Sequence, residues 1–210
     1  MSEYDLHSLI LSCDFRVDDV DQMWKWMKKH RKGLSTIGAH HVVLYTSIWD
    51  PRRVLVTIGI RQARPIRDVL RSPAIFEWFD VSGVEDIPPI FGGEVVEKID
   101  LAEPTPPEHV AGVIVGAVSA VDDVPTLMRK VHDGLSRFER NGIRKVWVYR
   151  ALDDGQEVMI LQEIEDEISA RRWIDHPDAA AEWMTNCGFC GYPGLFVGKL
   201  AHIMTVDEQG

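Results

Sequence analysis

The chain has 210 residues, of which 45% are hydrophobic and 27% are charged, and this balance excludes collagen-like, disordered and low-complexity proteins. The formal net charge of −10 disfavours general binding to nucleic acid, because an acidic chain repels the phosphate backbone. No apolar run reaches about 18 residues, so we expect no membrane-spanning helix and no membrane partner. The acidic N-terminus shows no secretory signal, and only three cysteines occur; we therefore expect a reducing, cytoplasmic location without a disulfide framework.

An internal repeat organises the sequence. The segment 17–20, Val-Asp-Asp-Val, recurs at 121–124, and the same offset of 104 residues aligns Gly38 with Gly142. One inserted residue moves the offset to 105 further along the chain. Such a collinear series predicts two tandem repeats, residues 1–101 and 110–210. The Pro-rich stretch 102–109 between them is typical of a short extended linker.

Repeat 1 shows strand and helix patterns in an alternating order. Short apolar runs predict strands, and apolar residues at helical spacing predict helices. The predicted elements of repeat 1 are strand 9–15, helix 19–37, strands 41–49 and 53–61, helix 65–79 and strand 91–99.

Repeat 2 has the same order with clearer signals. Asp122 and Asp123 supply capping residues for the first helix, and Asn141-Gly142 ends it. The predicted elements of repeat 2 are strand 113–118, helix 122–141, hairpin strands 145–150 and 157–165, helix 169–184 and strand 196–205.

The order β-α-β-β-α-β is the ferredoxin-like plan. Large side chains occupy both faces of each predicted sheet, so both faces need a cover. The fold class we predict is therefore α+β, with two tandem ferredoxin-like repeats packed sheet to sheet as a pseudo-twofold α/β barrel.

This repeat, with the helix Leu-Arg-Ser-Pro-Ala-Ile-Phe-Glu-Trp at 70–78, resembles the dimeric α/β-barrel superfamily. That superfamily includes the antibiotic-biosynthesis-monooxygenase-like, EthD-like and YciI-like families, and this chain resembles a tandem-fused dimer of such units. The resemblance implies a ligand cavity between sheet and helices in each half. It also implies cofactor-independent oxygenation or isomerisation if the ligand is converted.

Two residues are candidate catalytic groups that move a proton. His176 precedes Pro177 in the second helix of repeat 2, the helix that lines the cavity in similar proteins, and its imidazole titrates near neutral pH. Tyr149 lies on the hairpin of the same repeat. The alternative for His176 is a capping or turn residue.

Polar and aromatic residues of repeat 2 form the candidate ligand-binding set. Arg150 and Gln162 replace Thr46 and Ile58 of repeat 1, so polarity enters one face of the repeat 2 sheet. An apolar cavity with a few polar groups is the usual small-molecule site. Arg150 could pair with a carboxylate of the protein or of a ligand, or could be exposed. The full expected ligand-binding set is Arg150, Gln162, Trp147, Trp183, His202 and Phe196. The alternative for Trp183 is a role in the hydrophobic core. His202 is expected to lie on the same wall of the cavity as Phe196.

Metal and cofactor signals are weak, and we expect neither. Cys187 and Cys190 form a Cys-x-x-Cys motif without a second ligand pair, so inert thiols, a redox pair and a metal site all stay open. Adjacent His40 and His41 are expected to face opposite ways on a strand. Haem remains an alternative cofactor, because the resemblance extends to fused relatives of the chlorite-dismutase and HemQ group, which bind haem through a histidine on the helix that corresponds to the one carrying His132.

The expected function is binding, with enzymatic conversion left open, of an apolar or aromatic small molecule in repeat 2. The alternatives are a haem-binding protein and a non-catalytic assembly module. The expected partner is a small molecule, and the expected state is a monomeric pseudo-dimer or a homodimer.

Overall fold

A computed structural model describes residues 9–61, 88–102, 112–175 and 194–206, together with Pro73, Phe79 and Val84. This part of the chain contains eight strands and five helices. In chain order they are β1 (Leu9–Arg16), α1 (Val20–Lys29), α2 (Arg31–Thr36), β2 (Ala39–Ser47), β3 (Arg53–Ile60), β4 (Ile90–Asp100), β5 (Val113–Ala120), α3 (Val124–Asp133), α4 (Leu135–Arg140), β6 (Ile143–Ala151), β7 (Glu157–Ile164), α5 (Glu167–Asp175) and β8 (Leu195–Thr205).

The strands are hydrogen-bonded in the order β1-β3-β2-β8-β5-β7-β6-β4, and β4 also pairs with β1. The pairs within each half are antiparallel, as in β1 with β3 and β5 with β7. The predicted fold class is confirmed: the chain is an α+β protein with two tandem ferredoxin-like repeats of the α/β-barrel type. None of the described helices is long and apolar enough to cross a bilayer.

The first compact unit comprises residues 1–94 and 200–210. Asp19 caps α1, because its side chain accepts a hydrogen bond of 2.9 Å from the backbone N–H of Gln22. The buried side of α1 carries Met23, Trp24 and Met27, which join the β-sheet residues in one apolar core. The helical period therefore decides which face of α1 meets the sheet.

The second compact unit comprises residues 95–199 and repeats this arrangement. Asp123 caps α3 through a hydrogen bond of 2.7 Å from the backbone N–H of Thr126. Leu127 and Val131 of α3 are fully buried, and so is Phe138 of α4. These residues make the helix side of the second unit's sheet apolar.

The first predicted helix of each repeat is two helices in the structure. The break falls at His30 in repeat 1 and at Gly134 in repeat 2, which are equivalent positions of the two repeats. The following turns also match, because Gly38 and Gly142 both adopt positive φ, at 82° and 77°. A left-handed residue at this point favours glycine, so the repeat preserves both the break and the turn.

The compact units differ from the sequence repeats in the last strand of each repeat. β4 begins in the first unit and ends in the second, where the Leu101 N–H donates to the Arg144 carbonyl at 2.7 Å. β8 begins in the second unit and ends in the first, where the Val206 N–H donates to the His40 carbonyl at 2.8 Å. The predicted repeat boundaries remain a division by sequence, and most of the predicted linker lies outside the described residues.

Candidate functional site

Gln162 lies on the helix side of the second unit's sheet. Its direct neighbours across the strands are Val115 on β5 and Val146 on β6, and Val115 in turn faces Val197 on β8. Residues paired across strands share a face, so a single amide stands in a row of valines. The Gln162 side chain is buried at 5% exposure, and an unpaired polar group in such a place is costly.

Trp173 of α5 hydrogen-bonds the oxygen of this amide but not its NH₂ group. Its indole Nε1–H donates to Gln162 Oε1 at 3.1 Å. An indole nitrogen can donate but cannot accept, so the amide oxygen must face Trp173 and the NH₂ group must face away. Gln162 Nε2 is buried without a hydrogen-bond partner among the residues that the structure describes. A buried donor of this kind costs about 1–3 kcal/mol unless an acceptor reaches it.

Local contacts hold Trp173 in this position. Asp166 caps α5 by accepting a hydrogen bond of 2.7 Å from the Ser169 N–H, and this bond lowers the pKa of the Asp166 carboxyl. The Trp173 ring meets Phe138 edge to face, with centroids 5.8 Å apart and planes at 89°. Trp173 and Phe138 are both buried, so the indole N–H has a defined direction toward the sheet.

Repeat 1 has no such polar pair. The residue equivalent to Gln162 is Ile58, which is buried in the apolar core of the first unit. The residue equivalent to Trp173 is Val69, which lies outside the described residues. Ile58 and Val69 therefore carry no side-chain hydrogen-bonding group, whereas Gln162 and Trp173 both do. This paired difference between the repeats is the sequence signal that could have identified Trp173, which was not among the predicted site residues.

The predicted site residues of the hairpin are divided between the two faces of the sheet. Trp147 lies opposite Leu161, and Leu161 and Phe196 both lie opposite Gly116, so these residues share the other face. Tyr149, opposite Met159, is on that face too. Burial raises the pKa of the Tyr149 phenol, which keeps it protonated. The structure therefore does not bring Tyr149 together with Gln162.

Arg150 shares the face of Gln162, but it lies at the end of the hairpin. Its partner across the strands is Val158, two pairs away from the Gln162 position. The residue is exposed, and its pairing with a carboxylate of the protein or of a ligand stays open. It therefore does not add a buried charge beside the amide.

His202 belongs to the first compact unit, whereas Phe196 belongs to the second, and the expected wall shared by the two residues stays a prediction. Its ring stacks on Trp24 with centroids 4.8 Å apart and planes at 7°. Its Nε2 lies 3.3 Å from the Asp21 carboxylate. β8 begins in the unit that contains Phe196 and ends in the unit that contains α1.

His132, the histidine that the haem alternative invokes, is exposed at the end of α3. Its Nε2 lies 3.0 Å from Glu97 Oε2, and its side chain is about half exposed. An iron ligand of this type needs a free ring nitrogen directed into a buried apolar slot. Nε2 already faces Glu97 and the side chain is half exposed, which disfavours haem ligation through this nitrogen, and the haem alternative stays a prediction.

His40 and His41 face each other, contrary to the expectation that strand neighbours point apart. The register of β2 shifts between Ala39 and His41, and the two Nδ1 atoms lie 2.8 Å apart. A β-bulge of this kind redirects one side chain. No cluster of three or more metal-ligating side chains occurs in the described ranges.

Four residues singled out by sequence lie outside the described residues. They are His176, Trp183, Cys187 and Cys190. Their roles remain predictions.

Cys13, the remaining cysteine, is buried, and its surroundings predict low reactivity. Burial, with a smaller contribution from the Asp14 charge, raises the pKa of the Cys13 thiol from 9.0 to about 12. In a variant with Cys187→Ser and Cys190→Ser, we expect iodoacetamide at pH 8 to label Cys13 about 100-fold more slowly than in urea. Mass spectrometry over time measures this rate, and labelling at the urea rate would contradict the prediction. Because the unfolded thiol ionises first, stability is expected to fall as pH rises above 9.

The strand order and the helices define the chain as a protein of the ferredoxin-like α/β-barrel fold class. No family model and no curated protein matches the sequence. Solved structures do match across nearly the whole chain. An anthrone oxidase-like protein is 12% identical, with a TM-score of 0.68 over 97% of this chain and 95% of that one.

Two Listeria structures agree on the same fold. A monooxygenase-like protein from Listeria innocua is 10% identical, with a TM-score of 0.52 over 95% of this chain and 98% of that one. A heme-degrading enzyme from Listeria monocytogenes is 10% identical, with a TM-score of 0.50 over 91% and 99%. At these identities the likeness shows the fold alone.

Proposed function

We propose that this chain binds an apolar or aromatic small molecule on the helix side of the second unit's sheet. The observation that carries the proposal is the buried NH₂ group of Gln162, which stands in an apolar row without a partner among the described residues. A ligand that brings an acceptor to this group would remove the cost of burying it. The apolar neighbours Val115, Val146 and Val197 would supply the contact area.

We further propose that the bound molecule is converted in a monooxygenase-like reaction without a cofactor. The anthrone oxidase-like neighbour suggests an aromatic ketone as the substrate class. Anthrone and O₂ would give anthraquinone and water. Both C–H bonds at carbon 10 break. The first proton goes to a base and O₂ adds to the resulting carbanion as a hydroperoxide. The second hydrogen then leaves as a proton while the O–O bond breaks, so one oxygen atom stays as the new carbonyl and the other leaves in water.

His176, the candidate proton-moving histidine of the sequence, is the proposed base for this reaction. Tyr149 is the weaker candidate, because it lies on the opposite face from Gln162 and its raised pKa keeps the phenol protonated. Gln162 would hold the ketone oxygen and stabilise the negative charge that develops there when the proton leaves.

Anaerobic binding and aerobic turnover of anthrone test the two parts separately. Equilibrium dialysis without O₂ is expected to show one anthrone per chain, with weaker binding in Gln162→Met. The control Gln156→Met changes an exposed glutamine of the β6–β7 turn and is expected to bind as wild type does. In air, one O₂ is expected per anthraquinone, and His176→Ala should slow this step. Absence of anthrone binding would overturn the proposal, whereas binding without O₂ uptake would leave a binding protein.

Native mass spectrometry of the freshly purified chain tests the remaining expectations. A mass excess equal to haem, with a Soret band in the absorbance spectrum, would contradict the cofactor-independent proposal. The same spectrum reports whether the chain is a monomer or a homodimer. We also propose a cytoplasmic location, on the cysteine content alone.

A further inference from the structure

We propose that Trp173 is a positioning residue that makes the Gln162 site select ligands with a hydrogen-bond acceptor and reject ligands with a donor. This inference rests on the proposed function. The inference specifies whether the ligand group that contacts Gln162 is a hydrogen-bond acceptor or a donor. It is carried by the direction of one hydrogen bond, from Trp173 Nε1 to Gln162 Oε1 at 3.1 Å.

A glutamine amide is by itself indifferent to the polarity of its partner. Rotation by 180° about the last side-chain torsion exchanges its oxygen and nitrogen, so it can meet a donor or an acceptor equally well. Trp173 removes this freedom. If the amide turned, its NH₂ group would face the indole N–H, and two buried donors would be left without acceptors.

The locked amide therefore presents only N–H groups to the rest of the helix side. A ligand carbonyl can accept from Gln162 Nε2 and complete the chain of hydrogen bonds that begins at Trp173. A ligand N–H at the same place would meet another donor, and both groups would be buried unpaired. A site that hydrogen-bonds its substrate strongly rejects an analogue that leaves the site's buried polar groups unpaired. This discrimination is far stronger than that of an apolar pocket, which distinguishes ligands only by their size.

The packing around Trp173 supports a positioning role. Phe138 meets the indole ring edge to face, and the burial of both residues limits their movement. The indole N–H therefore cannot readily turn to another acceptor. Repeat 1 has Ile58 at the position of Gln162, and this side chain cannot distinguish a ligand donor from a ligand acceptor.

Three tricyclic molecules of nearly equal shape test the selection. Fluorenone carries a carbonyl acceptor, carbazole carries an N–H donor at the same ring position, and fluorene carries neither. For the wild-type chain we expect fluorenone to bind about 10-fold more tightly than fluorene, and carbazole to bind no more tightly than fluorene. Isothermal titration measures the three dissociation constants.

Trp173→Phe keeps an aromatic ring against Phe138 but removes the indole N–H. The freed amide can then turn, so we expect fluorenone and carbazole to bind within about 3-fold of each other. The matched control is Trp24→Phe, which changes a buried tryptophan of the first unit and is expected to keep the wild-type preference. Gln162→Met removes the amide and is expected to bind all three molecules alike.

A spectroscopic measurement keeps the test independent of stability effects. In the ¹H–¹⁵N spectrum of the wild-type chain, fluorenone is expected to shift the Gln162 side-chain NH₂ signals, and fluorene is expected to leave them in place. Equal affinities of fluorenone and carbazole in the wild type, or an unchanged preference in Trp173→Phe, would overturn this inference and leave the proposed function standing. Failure of all three molecules to bind would also overturn this inference, and absence of anthrone binding as well would overturn the proposed function.

Discussion

Replacement of Phe138 by alanine is expected to lower the free energy of unfolding by about 3–5 kcal/mol. The Phe138 side chain is fully buried between α4 and the sheet, and its ring supports Trp173 edge to face. Removing the ring leaves a cavity and also removes the contact that holds the indole in place. Urea denaturation followed by circular dichroism measures the change.

The neighbouring substitution Glu139→Ala provides the control for Phe138→Ala. Glu139 is exposed on the same helix, so its loss should change stability by less than about 0.5 kcal/mol. A loss below about 1 kcal/mol in Phe138→Ala would contradict the packing described here. The variant should also bind fluorenone more weakly than wild type, because Trp173 would no longer be held against Gln162.

Gly112→Ala is expected to cost about 3 kcal/mol or more, or to prevent folding. A Cβ atom at Gly112 would lie 1.9 Å from the Ile164 carbonyl oxygen and 2.8 Å from its carbon. Both atoms belong to the backbone of β7, so no side chain can turn away to make room. The start of β5 would have to separate from β7, where Val113 pairs with Ile164.

Gly155→Ala is the matched control for this backbone contact. No atom lies within 4 Å of the place that a Cβ would take at Gly155, so its unfolding free energy should stay close to wild type. The urea midpoint and the yield of soluble protein compare the two variants. A Gly112→Ala chain as stable as Gly155→Ala would show that β5 and β7 do not approach as closely as described.

Much of the fold could be predicted because the decisive signals are local and occur twice. The repeat of Val-Asp-Asp-Val marks both helix starts, and Asp19 and Asp123 cap their helices as such residues usually do. Alternating side chains placed Tyr149 and Trp147 on one strand face and Gln162 on the other. Even so, the predicted ligand-binding set combined both faces, because sequence does not show which face the helices cover.

The helix breaks at His30 and Gly134 were not predicted, because the apolar spacing continues through them. The contacts of His202 also depend on residues that are far from it in the sequence. A strand pattern shows that β8 is a strand but not which sheet its end joins, so its contact with Trp24 could not be deduced.

The sequence by itself determined the duplication, the order of strands and helices, and the polar substitution at Gln162. These depend on residue type and on spacing over a few residues. Only the tertiary structure decided that β4 and β8 end in the other compact unit, and that the Trp173 indole meets the Gln162 oxygen. Strand exchange and a directed side-chain hydrogen bond depend on distances between segments that are remote or on different elements, and no local pattern encodes those distances.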